Sequence, residues 1–209
     1  MTNSEVDRLL EQFKKLDKYA KDYFSADRYE KVKKIFEFFS ERILTAPASR
    51  KVYYHNCYPG GWLDHTLNVI EATMVVTKAF KAIGGKVDFT SEEAVFSAMF
   101  HDLGKLGDLE HSDYIEQTSD WHRERGELYI ENPKLPQMPH ADRSLYLLQH
   151  FGIEMTQKEW KTIKCHDGLY LEGNKSYFIS YGTPTDFFTN LHHVVHWADM
   201  MSTVAEKKI

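Results

Sequence analysis

Apolar residues recur at three- and four-residue spacing along most of the chain, the signature of amphipathic helices. Val6, Leu9, Leu10, Phe13 and Leu16, then Val32, Ile35, Phe36, Phe39 and Ile43, predict two helices within 1–44, broken near Ser25-Ala26-Asp27. Pro47 ends the second, because the residue before a proline is pushed out of helical geometry. A third helix is expected from Trp62 to Ile83, closed by Gly84-Gly85. Thr90 or Ser91 followed by Glu92-Glu93 reads as a cap with acids in the first turn, opening a helix that runs to Leu103. Helical periodicity returns over Ala141–Phe151, Gln157–Cys165 and Thr185–Ala205. Between Gly107 and Pro139 the pattern lapses into a long polar excursion with a short helix or hairpin near Tyr129. The turn-rich stretch 168–184 predicts a short strand pair at Tyr177-Phe178-Ile179. The expected fold is all-α and a single domain over 1–209: N-terminal helices over 1–44, a core over 45–205, and a lid-like excursion over 108–139.

Composition narrows the field. With 42% hydrophobic and 14% aromatic residues the chain can bury a full core. Its formal charge of −5 and its lack of any Lys/Arg block argue against affinity won mainly by neutralising many phosphates, though not against a small phosphorylated ligand. Cys57 and Cys165 are too few for a disulfide framework or a zinc knuckle, and are read as free thiols. No apolar run approaches a membrane span, and the opening residues lack a signal-peptide core, so the expected location is cytoplasmic.

The chemistry lies among the histidines. Four segments place His and Asp beside glycines or helix ends: Gly60-Gly61-Trp62-Leu63-Asp64-His65, Phe100-His101-Asp102-Leu103-Gly104-Lys105, Cys165-His166-Asp167-Gly168, and His196-Trp197-Ala198-Asp199. Imidazole with carboxylate suits Mn²⁺, Fe²⁺, Co²⁺, Ni²⁺ or Zn²⁺, with Mg²⁺ as an alternative, and the lack of thiolates argues against structural zinc. Lys105, three residues after His101-Asp102, is placed to neutralise a phosphate.

In these motifs the chain resembles the HD superfamily of metal-dependent phosphohydrolases, and more narrowly the branch of bacterial 3′-to-5′ exoribonucleases and their phage-encoded relatives. The resemblance covers about 43–201. It rests on Thr45-Ala46-Pro47-Ala48, His55, the stretch Pro59 to Leu67, Phe100 to Asp108, and His196-Trp197-Ala198-Asp199. It implies His65, His101, Asp102 and Asp199 as metal ligands, with His140 and His166 binding a second ion. By the same implication Asp102 bridges two ions, which activate a water, while Lys105 acts as an electrostatic clamp or as leaving-group acid. Pro139 stands before His140 where the family more often has Gly.

Other residues carry two readings. His55 is either a phosphate contact or a loop residue; His196, one turn before Asp199, orients the site; Asp64 and Asp167 are placed to accept the second ring N–H of their neighbouring histidines. His192 and His193 read as ordinary surface or packing residues, and Trp62 and Met74 as core. In the excursion, Trp121 or Tyr114 could stack on a base and Arg123 or Arg125 could fork onto phosphate; the plainer reading is a solvated turn. Three functions follow. The preferred one is hydrolysis of a phosphoester of a small nucleotide; the others are a 3′-to-5′ nuclease acting on short RNA or single-stranded DNA, and a nucleotide-binding protein without turnover.

Overall fold

The computed structural model describes residues 2–179 and 189–207. The fold is all-α. Three N-terminal helices, α1 (Asn3–Tyr23), α2 (Ala26–Phe38) and α3 (Ser40–Thr45), lead into α4 (Gly61–Ala82) and α5 (Ser91–Phe100). After the excursion come α7 (His140–His150), α8 (Gln157–Cys165), a one-turn α9 (Lys175–Phe178) and α10 (Leu191–Ala205). The expected strand pair at Tyr177-Phe178-Ile179 is thus a turn of helix ending in an extended Ile179. The proposed start of the last helix at Thr185 lies outside the described residues; its visible part begins at Leu191.

Local chemistry sets most boundaries. Ser25 caps α2, and Thr2, Thr90 and Thr156 form capping boxes with Glu5, Glu93 and Glu159 at the starts of α1, α5 and α8. The single helix expected across 32–43 is divided at Phe39, which leaves helical geometry (ψ 11°) and buries its ring beside Phe38 and Phe151. Tertiary packing overrides the helical period there. α5 is buried from Glu93 to Phe100 on every side, as a helix enclosed by others must be, with α4, α8, α10 and α1 packed around it. Its C-terminus carries two buried polar residues, His101 and Asp102.

The excursion is folded. β1 (Tyr114–Glu116) pairs antiparallel with β2 (Tyr129–Glu131), with Ile115 opposite Ile130, and α6 (Asp120–Glu124) forms the tip. A bridge from Lys51 to Glu127 adds the 50–52 segment alongside. Two arginines gather its backbone carbonyls. Arg42 donates to the oxygens of Leu106, Asp108 and His111, and buried Arg143 to those of Gly104, Pro136 and Met138 as well as to Asp113. A guanidinium has five N–H donors in a fixed fork, so one side chain can hold several strands of irregular chain. No helix among the described residues is long and apolar enough to cross a membrane.

Candidate metal centre

The site grows from helix ends. His101 and His166 occupy equivalent positions, the residue that closes α5 and the one that closes α8. Carbonyls in the last turn of a helix lack intrahelical partners. Each histidine supplies one: His101 Nδ1 donates to Ala98 O at 2.7 Å, and His166 Nδ1 to Ile163 O at 2.9 Å. His65, in the second turn of α4, donates from Nδ1 to Glu206 Oε2 at 2.9 Å. With every Nδ1 committed, all three rings offer Nε2 to a common centre.

Two carboxylates complete it. Asp102 Oδ2 lies 3.4 Å from His101 Nε2 and 3.9 Å from His65 Nε2, while its Oδ1 lies 3.5 Å from His166 Nε2. Asp199 Oδ1 is 3.1 Å from His65 Nε2 and 3.9 Å from His101 Nε2. The Nε2 atoms of His65 and His101 are buried without a hydrogen-bond partner, an arrangement costly unless something else occupies the space between them. His65, His101 and Asp102 converge closely enough to share an ion, as do His101, His166 and Asp199. The donor set, imidazole and carboxylate without thiolate, fits a metal ion.

The electrostatics agree. Burial opposes ionisation of Asp102, yet Lys105 and His101 hold it well below the usual carboxylate range. Asp199 is likewise lowered against its burial, chiefly by His65. Burial depresses His65, but Asp199 and Glu206 raise it to about 9; His166, also opposed by burial, is raised to about 10 by Asp167 and Asp102. The raised imidazoles of His65 and His166, with Lys105, offset the charge of the two acids, a role that a bound cation would take over.

Lys105 lies in the tight turn Leu103–Leu106, its Nζ 2.6 Å from Asp102 Oδ2. That turn is pinned by Ser144, whose hydroxyl accepts from Gly104 N–H and donates to His101 O. Gly104 is required there, since a Cβ would stand 2.2 Å from His140 O. Lys105, Asp102, His166 and Asp199 open onto a cavity of about 330 Å³ that His55 and His196 also line. Small-molecule sites run from about 300 to 1,000 Å³.

The structure sorts the remaining candidates. His196 donates from Nδ1 to His166 O at 2.6 Å, steadying the ligand-bearing turn. His55 stands in the cavity with its ring 4.5 Å from that of His65; burial, with His65 and Lys105 nearby, lowers its pKa to about 3 and keeps it neutral. Neither His140 nor the excursion cations join the site. His140 begins α7 but turns its Nε2 to Asp113 Oδ2 at 2.9 Å, outside the converging groups. The reason is Arg143, which holds Asp113 beside it. Trp121 is 56% exposed with Arg125 lying over its ring at 3.8 Å, and neither they nor Arg123 line the cavity. Asp64 pairs with Arg8 and Tyr58 rather than with His65. The acid that does serve His65 is Glu206, seven residues after Asp199 and so on the same face of α10, a spacing that could have marked it. Trp62 is core, and its indole N–H also donates to Asp102 O at 2.8 Å.

Comparison of the chain with protein-family models, with curated proteins and with solved structures returned no match.

A histidine outside the cluster gives a pH test. His192 is fully buried, donates from Nε2 to Tyr177 O and leaves Nδ1 without a partner. Burial, helped by His193 and Lys161, lowers its pKa to about 3, against about 6.5 in an unfolded chain. Its neutral form supports the fold fully above about pH 6.5, and that support is lost as pH falls from there toward about 3. His192→Asn, which keeps an N–H donor and cannot titrate, should lose less melting temperature than the parent between about pH 7 and 4, measured in chelator. Superimposable profiles would clear His192 of the effect.

Proposed function

We propose that the chain is a metal-dependent phosphohydrolase of the HD type that cleaves a phosphoester of a nucleotide. One observation carries this reading: His65, His101, Asp102 and Asp199, far apart in sequence, meet with His166 around unpaired Nε2 atoms, and Lys105 stands on Asp102 in the same cavity. The five ligand groups would hold a divalent transition ion, which when bound supplies Lewis acidity toward a phosphoryl oxygen and a water that ionises near neutral pH.

The chain's own residues do the rest. Asp102 and Asp199 both bring negative charge to the Nε2 atoms of His65 and His101. Lys105, kept protonated by Asp102 despite its burial, is a fixed cation for charge developing on phosphate. His55, neutral, can orient a phosphate oxygen with a single N–H. The cavity's modest volume, about 330 Å³, and the net charge of −5 favour a small nucleotide over a polymer held by many phosphate contacts.

The test is a panel of nucleoside mono- and triphosphates and short oligonucleotides with Mn²⁺. Inorganic phosphate or pyrophosphate should be released from nucleotides, and chelation should stop it. Release of mononucleotides from oligomers, with affinity rising with length and falling with salt, would replace this reading with a nuclease.

A further inference from the structure

A second cavity, of about 450 Å³, lies on the other side of Lys105, which lines both spaces. Its remaining walls come from the chain before α4 and from the hairpin, including Pro47, Pro59, Tyr114, Ile115 and Tyr129. Three of the strong hydrogen-bonding groups at its edge are already committed, while the exposed Glu116 carboxylate also borders it. Arg42 is taken by three carbonyls, Asp113 by His140 and Arg143, and Thr45 by Glu41 O. What faces the space is prolyl and aromatic surface together with the Glu116 carboxylate, with Lys105 as the cation shared with the metal centre.

We infer that this hairpin cavity receives the base of the nucleotide, with the ring of Tyr114 as its stacking surface and Lys105 marking the passage to the phosphate. The inference rests on the phosphohydrolase reading above. A ligand reaching across Lys105 needs an anion on the metal side and, beside aromatic rings and the Glu116 carboxylate, a flat group without negative charge on the hairpin side. A nucleobase joined to phosphate through a sugar has that form. The platform is held in advance: Tyr114 packs edge-on against His140, with ring centroids 6.1 Å apart and planes at 81°, and His140 is fixed through Asp113 to buried Arg143. A ring already immobilised loses little entropy when a base stacks on it. The residue expected to be a metal ligand thus props the stacking residue instead. Tyr114 also lies close enough to Lys105 and Asp102 for their charges to act on its hydroxyl, whose pKa burial raises to about 12.

The experiment is calorimetric binding of adenosine 5′-monophosphate and of ribose 5-phosphate to the full chain, before and after chelation. Tyr114→Ala should weaken adenosine 5′-monophosphate by about tenfold to a hundredfold, the range for losing one base–aromatic stack, and change ribose 5-phosphate by less than about twofold. Tyr114→Phe should bind both like the parent. Magnetisation transfer from tyrosine ring protons to the adenine protons in the unmutated chain gives the same answer should Tyr114→Ala fail to fold. Equal losses for both ligands, no transfer, or a loss in Trp121→Ala in place of Tyr114→Ala would each overturn the assignment, as would absence of adenosine 5′-monophosphate binding. Tyr114-dependent binding without phosphate release under Mn²⁺ would instead reject the phosphohydrolase reading and leave the base site standing.

Discussion

Asp102→Ala should yield a protein that purifies without divalent metal and without metal-dependent phosphate release. Asp102 is the carboxylate whose two oxygens face different histidines, Oδ2 toward His65 and His101 and Oδ1 toward His166. Its removal takes charge from both sides of the cluster at once, and leaves Lys105, with its side chain 15% exposed, repelling any cation that enters. The fall in metal affinity should exceed the roughly 10- to 100-fold that loss of an outer hydrogen-bonding partner costs. Asp102→Asn separates charge from shape: it keeps the volume, and it should lose metal nearly as completely. Elemental analysis of both variants beside the parent reads the result, and full occupancy in Asp102→Ala would remove Asp102 from the ligand set. Glu206→Gln offers a graded comparison, since the amide can still accept from His65 Nδ1 and touch Asn68 but no longer carries charge.

The second large effect is on stability. Arg28→Met should lower the unfolding free energy by about 3–5 kcal/mol, the usual cost of removing one partner from a buried ion pair. Glu159 is fully buried, and both of its oxygens accept from Arg28 at 2.7 Å. The same guanidinium reaches Glu92 at 3.0 Å and the carbonyl of Glu154 at 2.8 Å, so one residue of α2 ties together the starts of α5 and α8. Those helices end in His101 and His166. A domain of this kind has a net stability of only about 5–15 kcal/mol, so the loss should be plain in urea unfolding of the metal-free protein. Adding Glu159→Gln should restore much of it, because the buried charge is gone while an amide can still accept from Thr156 N–H in the capping box. A double variant no better than Arg28→Met would show that packing of the arginine stem, not its charge, holds the junction.

The sequence by itself determined most of the long helices and where they begin, because those depend on neighbours a few residues away. The capping residues Ser25, Thr90 and Thr156 act on amides three positions on, and the apolar period marks the buried face. The same locality made the ends of α5 and α8 readable, and with them His101-Asp102 and His166: a histidine closing a helix serves a carbonyl three residues back, whatever the rest of the fold does. Tertiary structure alone decided the partners that are remote in the chain. Glu206 meets His65 across 141 positions and Asp113 meets His140 across 27; the spacing from Asp199 points to Glu206 itself, but no local pattern names either partner. The path of the excursion was equally out of reach. It is set by Arg42 and Arg143 collecting backbone carbonyls, which every residue possesses and no side-chain pattern reveals. That path carries Trp121, Arg123 and Arg125 away from the cavity beside the candidate metal centre and brings Tyr114 beside Lys105. The division of the second helix at Phe39 has the same origin: burying that ring against Phe151 outweighs one more turn of regular hydrogen bonds.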